Sequence, residues 1–548
     1  MRRTRRRTGA AIAIGALIGI GLISPVAAAA RPEDSPRPAS TLVETSNGKV
    51  RGGSQTGYDT WLGMPYAANP TGKLRWAAPQ PAARWDGVRD ATQFGHRCVQ
   101  GSGWDPGYEN PTLTEDCLSL NVYAPHQTEG RRPVLVWIHG GGFTGGAGQD
   151  TDPRKFVQQA NAVVVTINYR LGALGFLSLP QLRQASADGS GNFGLLDQQA
   201  ALRWVQANIA RFGGDPRDVT IAGQSAGGSS VCDQVASPTA KGLFSRAVIM
   251  SGGCSTQSTA DGDKSSLAFV QAVGCSSASD VLACLRGKPA ADILAAQQKA
   301  GVRPALGGAA FPTDPAVAVP SGKFNHVPVL LGQVNNERAL FTFQSYDYLG
   351  KPLTADQYQT LVKSTYGANA DKVLAEYPVG KFDSPDAAWT KVQGDSASYT
   401  RQSLYGQLSR YVPTYAYEFA ESDTPQFASI YLIQQKSEAA RKFPFGATHV
   451  DDLGYIWDYL GQTLPYSDDQ LELSNQMIRY WGRFVAYGDP NGADTPSWPA
   501  YRPETDAMMS LSACHTSPAT GRPPAACSQV TNQFSAEHNT AFWKNISS

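Results

Sequence analysis

The sequence predicts an α/β fold in which a mostly parallel central sheet carries helices on both faces and an antiparallel hairpin opens the domain. Three observations support this. Short, continuous apolar runs recur from Val134 to Gly332, a helical period fills the interval between the second and third of them, and Asn47-Gly48 separates two strand-like segments near the start. With 548 residues, 41% hydrophobic and 17% charged, the chain is too apolar for disorder and long enough to bury a large core.

The first segment reads as a leader. Arg2, Arg3, Arg5, Arg6 and Arg7 precede an apolar run from Gly9 to Ile23, then Ser24-Pro25-Val26 and alanines ending at Ala30. That is the layout of a cleavable secretory signal over residues 1–30, and a run of about 15 apolar residues falls short of the ~20 that span a bilayer. The net charge of +1 is set by those five arginines, so residues 31–548 carry −4. A mildly acidic body argues against nucleic acid or an anionic membrane as the main partner. Residues 31–40 are Pro-rich and polar, a flexible tail, and residues 41–548, with no internal repeat or long linker, read as one domain.

Leu42–Thr45 and Lys49–Arg51 flank Asn47-Gly48, which suits a type I′ turn because both of its central residues need positive φ. The apolar runs Val134–Ile138, Val163–Ile167, Val219–Ala222, Ala247–Met250 and Val329–Gly332 fit strands buried on both faces of a parallel sheet. Between the second and third, Leu195, Leu196, Leu202, Val205 and Ile209 recur at helical spacing, so Leu195–Phe212 is a crossover helix. Gln470–Tyr487 is a second helix, ended by the turn cluster Gly488–Gly492.

The chemistry centres on Gly223-Gln224-Ser225-Ala226-Gly227, which follows a strand and precedes a helix. As a bare pattern it is weak, and an ordinary turn with a capping serine would also match. The strand-turn-helix context makes it a nucleophile elbow, where glycines two residues either side of the serine let the turn close. His139-Gly140-Gly141-Gly142-Phe143 follows the strand Val134–Ile138. Backbone N–H groups reach a developing oxyanion where no Cβ intervenes, so Gly141, Gly142 and Ala226 are the expected oxyanion donors. A phosphate loop is disfavoured because no lysine follows in P-loop fashion and no G-x-G-x-x-G occurs in a βαβ unit.

The serine needs a base, and in elbow enzymes the chain order is Ser, acid, His. His449, His515 and His538 lie far enough downstream. His515 adjoins Cys514 in a Pro/Ala-rich segment and His538 lies in a polar stretch expected to be exposed, so His449 is favoured. The acid belongs after an intervening strand, where Glu337 lies five residues past Gly332. Spacing alone decides neither assignment.

All eight cysteines follow position 98, and export permits disulfides. Proximity suggests Cys98 with Cys117, Cys275 with Cys284 and Cys514 with Cys527, leaving Cys232 with Cys254, one of 105 possible connectivities. No C-x-x-C or H-x-x-x-H cluster suggests a metal, and no cofactor is expected.

From about Thr41 to Trp543 the sequence resembles the type B carboxylesterase and cholinesterase family of α/β-hydrolases. The matching landmarks are Glu115–Val122, His139–Phe143, Asn168-Tyr169-Arg170, Asn192–Gln198, Phe212–Pro216, the elbow, Glu337, Gly446–His449 and Gly488–Asn491. The resemblance implies an α/β-hydrolase fold, a Ser225, Glu337, His449 triad, oxyanion donors at Gly141, Gly142 and Ala226, and a Cys98 to Cys117 bridge beside the active-site entrance. It departs at Gln224, where cholinesterases carry a glutamate that favours cationic substrates. Trp104 is the tryptophan of the loop in which those enzymes hold choline, and lies further from the closing cysteine. The family also contains adhesion proteins that lack the serine, which this chain retains. The expectation is a secreted serine hydrolase acting through an acyl-enzyme on neutral short- to medium-chain esters, with Gln224 and Trp104 as substrate-binding candidates. The alternatives are a lipase or polyester hydrolase, and an adhesion module on the same fold. A small-molecule ester is the expected partner, with no stable membrane anchor.

Overall fold

A computed structural model describes residues 41–103, 108–126, 130–186, 191–254, 256–297, 301, 303–427, 429–461, 463–514 and 527–547. The signal and tail expected over residues 1–40, Trp104 and His515 lie outside the described residues.

Among the described residues eleven strands form the main sheet: β1 (Gly53–Gln55), β2 (Tyr58–Pro65), β3 (Ser119–Pro125), β4 (Arg132–Ile138), β5 (Val163–Ile167), β6 (Gly214–Gln224), β7 (Arg246–Met250), β8 (Val329–Val334), β9 (Thr414–Phe419), β10 (Met508–Leu511) and β11 (Gln529–Thr531). Their spatial order is β11-β10-β9-β8-β7-β6-β4-β5-β3-β2-β1. The run from β10 through β5 is parallel, and the antiparallel pairs lie at the two edges.

Alternation along each central strand sends side chains to both faces. Val134, Val136 and Ile138 join one apolar cluster with Ile221 and Ile249, while Leu135 and Trp137 join another with Ala222 and Val248. A period of two in continuously apolar strands requires cover on both sides. Helices α1 (Phe193–Asn208) and α2 (Ala226–Ala236) cover the first face, contributing Leu202, Val205 and Val231 to its cluster. Helix α3 (Pro385–Leu408) packs on β8 and β9. The short helix α4 (Asp451–Gly454) follows His449, and α5 (Asp468–Tyr487) covers the second face through Met477, Trp481 and Phe484. Helix α6 (Thr540–Ser547) packs on α3.

The helix expected to end at Phe212 leaves α geometry at Asn208 and continues as a 3₁₀ turn over Ile209–Phe212. The opening hairpin pairs Leu42–Glu44 with Lys49–Arg51, and Val88–Asp90 adds a third strand in parallel. Its turn differs from type I′. Gly48 has φ +148° but Asn47 is not at positive φ, because the Thr45 hydroxyl accepts the Asn47 and Gly48 amides and the Asn47 side chain donates to Ala82 O.

His538 is not exposed. It is 2% accessible and bridges Glu418 on β9, at 2.5 Å, and Asp395 on α3, at 3.2 Å. Burial opposes its charge, but hydrogen bonds to Asp395 and Glu418 outweigh burial and push its pKa up to about 9. Polar neighbours in the sequence suggested solvent, whereas two buried carboxylates need a cation between them.

The structure pairs Cys98–Cys117, Cys232–Cys254, Cys275–Cys284 and Cys514–Cys527, closing separations of 19, 22, 9 and 13 residues. Among the described residues no helix is long and apolar enough to cross a membrane, and no cluster of His, Cys, Asp or Glu could hold a metal.

Candidate active site

Ser225 stands between β6 and α2 with φ +58° and ψ −124°, a conformation costly for a residue with a Cβ. It is held by its own amide, which donates to Met250 O at 2.9 Å, and by its carbonyl, which accepts from Ser229 N at 2.8 Å. The flanking glycines follow from close packing. A Cβ on Gly227 would lie 2.0 Å from Ile138 O, and one on Gly223 would lie 2.5 Å from the Gly227 carbonyl.

His449 comes from the loop before α4, and its Nε2 lies 2.7 Å from Ser225 Oγ. Its Nδ1 makes a very short contact with Glu337 Oε1. Three hydrogen bonds, to a carboxylate, a hydroxyl and a carbonyl, fix this loop. The Thr448 amide donates to Asp451 Oδ2 at 2.8 Å, Leu340 N donates to Thr448 Oγ1 at 3.0 Å, and Gln224 Nε2 donates to His449 O at 2.5 Å. Burial raises the Asp451 carboxyl well above its ordinary value, although the Phe427 and Thr448 amides oppose the rise.

Glu337 is 1% accessible and follows β8. Its Oε1 also meets Arg401 Nη2 at 3.0 Å, and its Oε2 accepts from Ser251 Oγ at 3.1 Å and Val334 N at 3.3 Å. Burial alone would raise its pKa, but Arg401, His449 and Ser251 together hold it below the ordinary carboxylate value.

The loop His139–Phe143 lies against the elbow, since a Cβ on Gly140 would stand 3.2 Å from Ser225 Cβ. Gly141 and Gly142 have φ +104° and +63°. His139 stacks on Tyr169 at 4.5 Å, and the Tyr169 hydroxyl donates to His139 O at 2.9 Å. Burial pushes the His139 imidazole down to about 4, so it is neutral at physiological pH. Ala226 is the first residue of α2, where helix amides lack intrahelical acceptors and the positive end of the helix dipole lies.

Beside Ser225 opens a cavity of about 710 Å³. Gly140, Gly141 and Gln224 form its wall next to the serine, and Phe427, Trp457 and Tyr459 form an aromatic wall. Asp150 is its acidic residue. Burial pushes that carboxyl up to about 6, opposed by Arg97 at 3.1 Å and by the Tyr108 hydroxyl. The structure therefore brings Ser225, His449, Glu337, Gly141, Gly142, Ala226 and Gln224 to one place. Arg401, Ser251 and Asp451 are neighbours that the sequence reading did not single out.

A strained serine at the carboxyl edge of a parallel sheet covered on both faces defines an α/β-hydrolase. The family model described as "Carboxylesterase family" matches residues 39–543, and the chain belongs to that family. It is 34% identical over 506 residues to a para-nitrobenzyl esterase of Bacillus subtilis (strain 168), covering 86% of this chain and 94% of the relative. It is 33% identical over 546 residues to a cocaine esterase of Homo sapiens, with 92% and 91% covered. A pyrethroid hydrolase of Mus musculus is 32% identical over 523 residues, with 88% and 89% covered. The protein is a carboxylic ester hydrolase.

Proposed function

We propose that Ser225 is the nucleophile, His449 the general base and acid, and Glu337 the carboxylate that orients His449 in an acyl-enzyme mechanism. The observation that carries this reading is the unbroken hydrogen-bonded line Ser225 Oγ, His449 Nε2, His449 Nδ1, Glu337 Oε1. His449 takes the Ser225 proton as Oγ attacks the ester carbon, and Glu337 stabilises the imidazolium. The Gly141, Gly142 and Ala226 amides receive the oxyanion. Collapse expels the alcohol, which leaves with the proton from Nε2, and water deacylates Ser225 by the same sequence.

The substrate is a neutral small-molecule ester of short or medium chain. Gln224 carries no charge, and the cavity's Asp150 is matched by Arg97, so no unmatched carboxylate among the described lining residues adds to the aromatic wall in favour of a quaternary ammonium. Four disulfides support an exported protein with residues 1–30 removed and no stable membrane anchor.

The test compares kcat/KM for butyrylthiocholine with a neutral butyrate thioester of similar leaving-group acidity, and p-nitrophenyl butyrate with emulsified triglyceride. The neutral short ester is preferred in both comparisons. A tenfold preference for the choline ester or for the emulsion would overturn the substrate assignment.

A further inference from the structure

We propose that Arg401 is a positioning residue for the reaction, holding Glu337 ionised and aimed at His449. This rests on the reading of Ser225, His449 and Glu337 given above. Arg401 lies on α3, 64 residues beyond Glu337, with its side chain only 13% accessible. Its Nη2 reaches Glu337 Oε1, the same oxygen that faces His449 Nδ1, at 3.0 Å, and Ser251 O at 3.4 Å. Its Nη1 reaches Gln333 Oε1 at 3.2 Å, and Gln333 is itself tied to Ser398, one turn back on α3, at 2.7 Å. The guanidinium is therefore fixed on three sides, by an amide of β8, a carbonyl at the end of β7 and the carboxylate. A planar fork suits such a site, whereas a point charge on a flexible stem would hold one partner at a time.

A carboxylate 1% accessible beside a histidine that alternates between neutral and charged needs a permanent counter-charge. The groups around Glu337 show where it comes from. Ser251 and the Val334 amide donate hydrogen bonds but carry no charge. Arg338, the next residue, also feels the Glu337 charge but at longer range, its guanidinium lying over the Phe341 ring at 4.6 Å. Asp452 on α4, Tyr417 on β9 and Tyr405 on α3 also interact with Glu337, and each pushes against its negative charge or is pushed up by it. Arg401 is the cation in contact with the carboxylate, and it is the largest influence keeping Glu337 ionised against burial. Ser251 sits at φ +47°, a strained conformation that directs its hydroxyl to Oε2 while its carbonyl faces Arg401.

The experiment compares the full-length protein with Arg401→Met, Arg401→Gln and Arg401→Lys, reading kcat/KM for p-nitrophenyl butyrate from pH 5 to 9 together with Tm. An opposite charge in contact lowers a carboxyl pKa by about 1–3 units. Removing it in Arg401→Met or Arg401→Gln raises the acid limb of the profile by about one unit or more. The deficit in kcat/KM is consequently about tenfold larger at pH 6 than at pH 9. Arg401→Lys keeps the acid limb and lowers kcat. If Arg401→Met fails to fold, Arg401→Gln against Arg401→Lys carries the same comparison. A loss of equal size at every pH, or a limb that moves as far in Arg401→Lys as in the neutral variants, overturns the proposal and leaves Arg401 a structural residue. Failure of the underlying reading is distinguishable, because Ser225→Ala would then remain active whatever the Arg401 variants do.

Discussion

Replacing Gln224 by glutamate exchanges an amide for a carboxylate of the same shape, at a position where the amide nitrogen donates to His449 O at 2.5 Å and the side chain is 2% accessible. An ionised glutamate would set one oxygen against another, leaving the His449 carbonyl without its donor. An unpaired buried acceptor costs about 1–3 kcal/mol. If that cost falls on the geometry that holds His449 against Ser225, kcat/KM drops roughly tenfold to a hundredfold, since about 1.4 kcal/mol is tenfold in rate. A protonated glutamate can donate as the glutamine does, so the loss is pH-dependent. The ratio of wild-type to Gln224→Glu kcat/KM for a neutral butyrate ester is smallest near pH 5.5 and grows toward pH 9. Gln224→Met, which donates at no pH, shows a loss that does not vary in this way. The same variant acquires a carboxylate in the cavity wall, so relative activity on butyrylthiocholine rises even as activity on the neutral ester falls. Equal kcat/KM for wild type and Gln224→Glu on the neutral ester across pH 5.5–9 would refute the anchoring role of Gln224.

Gly141→Ala introduces a Cβ 2.3 Å from Gly145 O at φ +104°, so the loop must shift and carry the oxyanion donors with it; kcat on p-nitrophenyl butyrate falls by about 10²–10³-fold, and an unchanged kcat would remove the loop from the mechanism. His538, raised from 6.5 to about 9, contributes about 3 kcal/mol of stability that is fully present below pH 6.5 and lost as pH rises through 9. Urea unfolding of His538→Gln therefore shows its largest deficit at pH 6.5 and a smaller one at pH 9.5, and equal stability of the two proteins at pH 6.5 would contradict the buried ion cluster. Reduction of the four bridges lowers Tm, since a loop of about 15 residues contributes about 3 kcal/mol in the chain-entropy model, and thiol titration of the denatured, unreduced protein finds no free thiol.

The sheet was legible because its central strands are buried on both faces, and Val134–Ile138 and Val163–Ile167 therefore stand out as unbroken apolar runs. Ser225 was legible for a local reason, because its strained turn demands glycines at 223 and 227. His449 and Glu337 were harder. They lie 224 and 112 residues from their respective partners, Ser225 and His449, and nothing in their own neighbourhoods records that contact. Arg401 left no trace at all, being one cation on a helix whose neighbours are mostly polar. His538 misled for the complementary reason. Its sequence neighbours are polar, but burial is decided by Asp395 and Glu418, which are 143 and 120 residues away.

Trapping the acyl-enzyme identifies the nucleophile. Wild type quenched during turnover of p-nitrophenyl butyrate should gain one butyryl group, mapped by peptide mass spectrometry to Ser225. Ser225→Ala should remain folded, take up no acyl group and lose at least about 10⁴-fold in kcat. An acyl group found on another residue, or more than roughly a tenth of wild-type activity in Ser225→Ala, would contradict nucleophilic catalysis by Ser225.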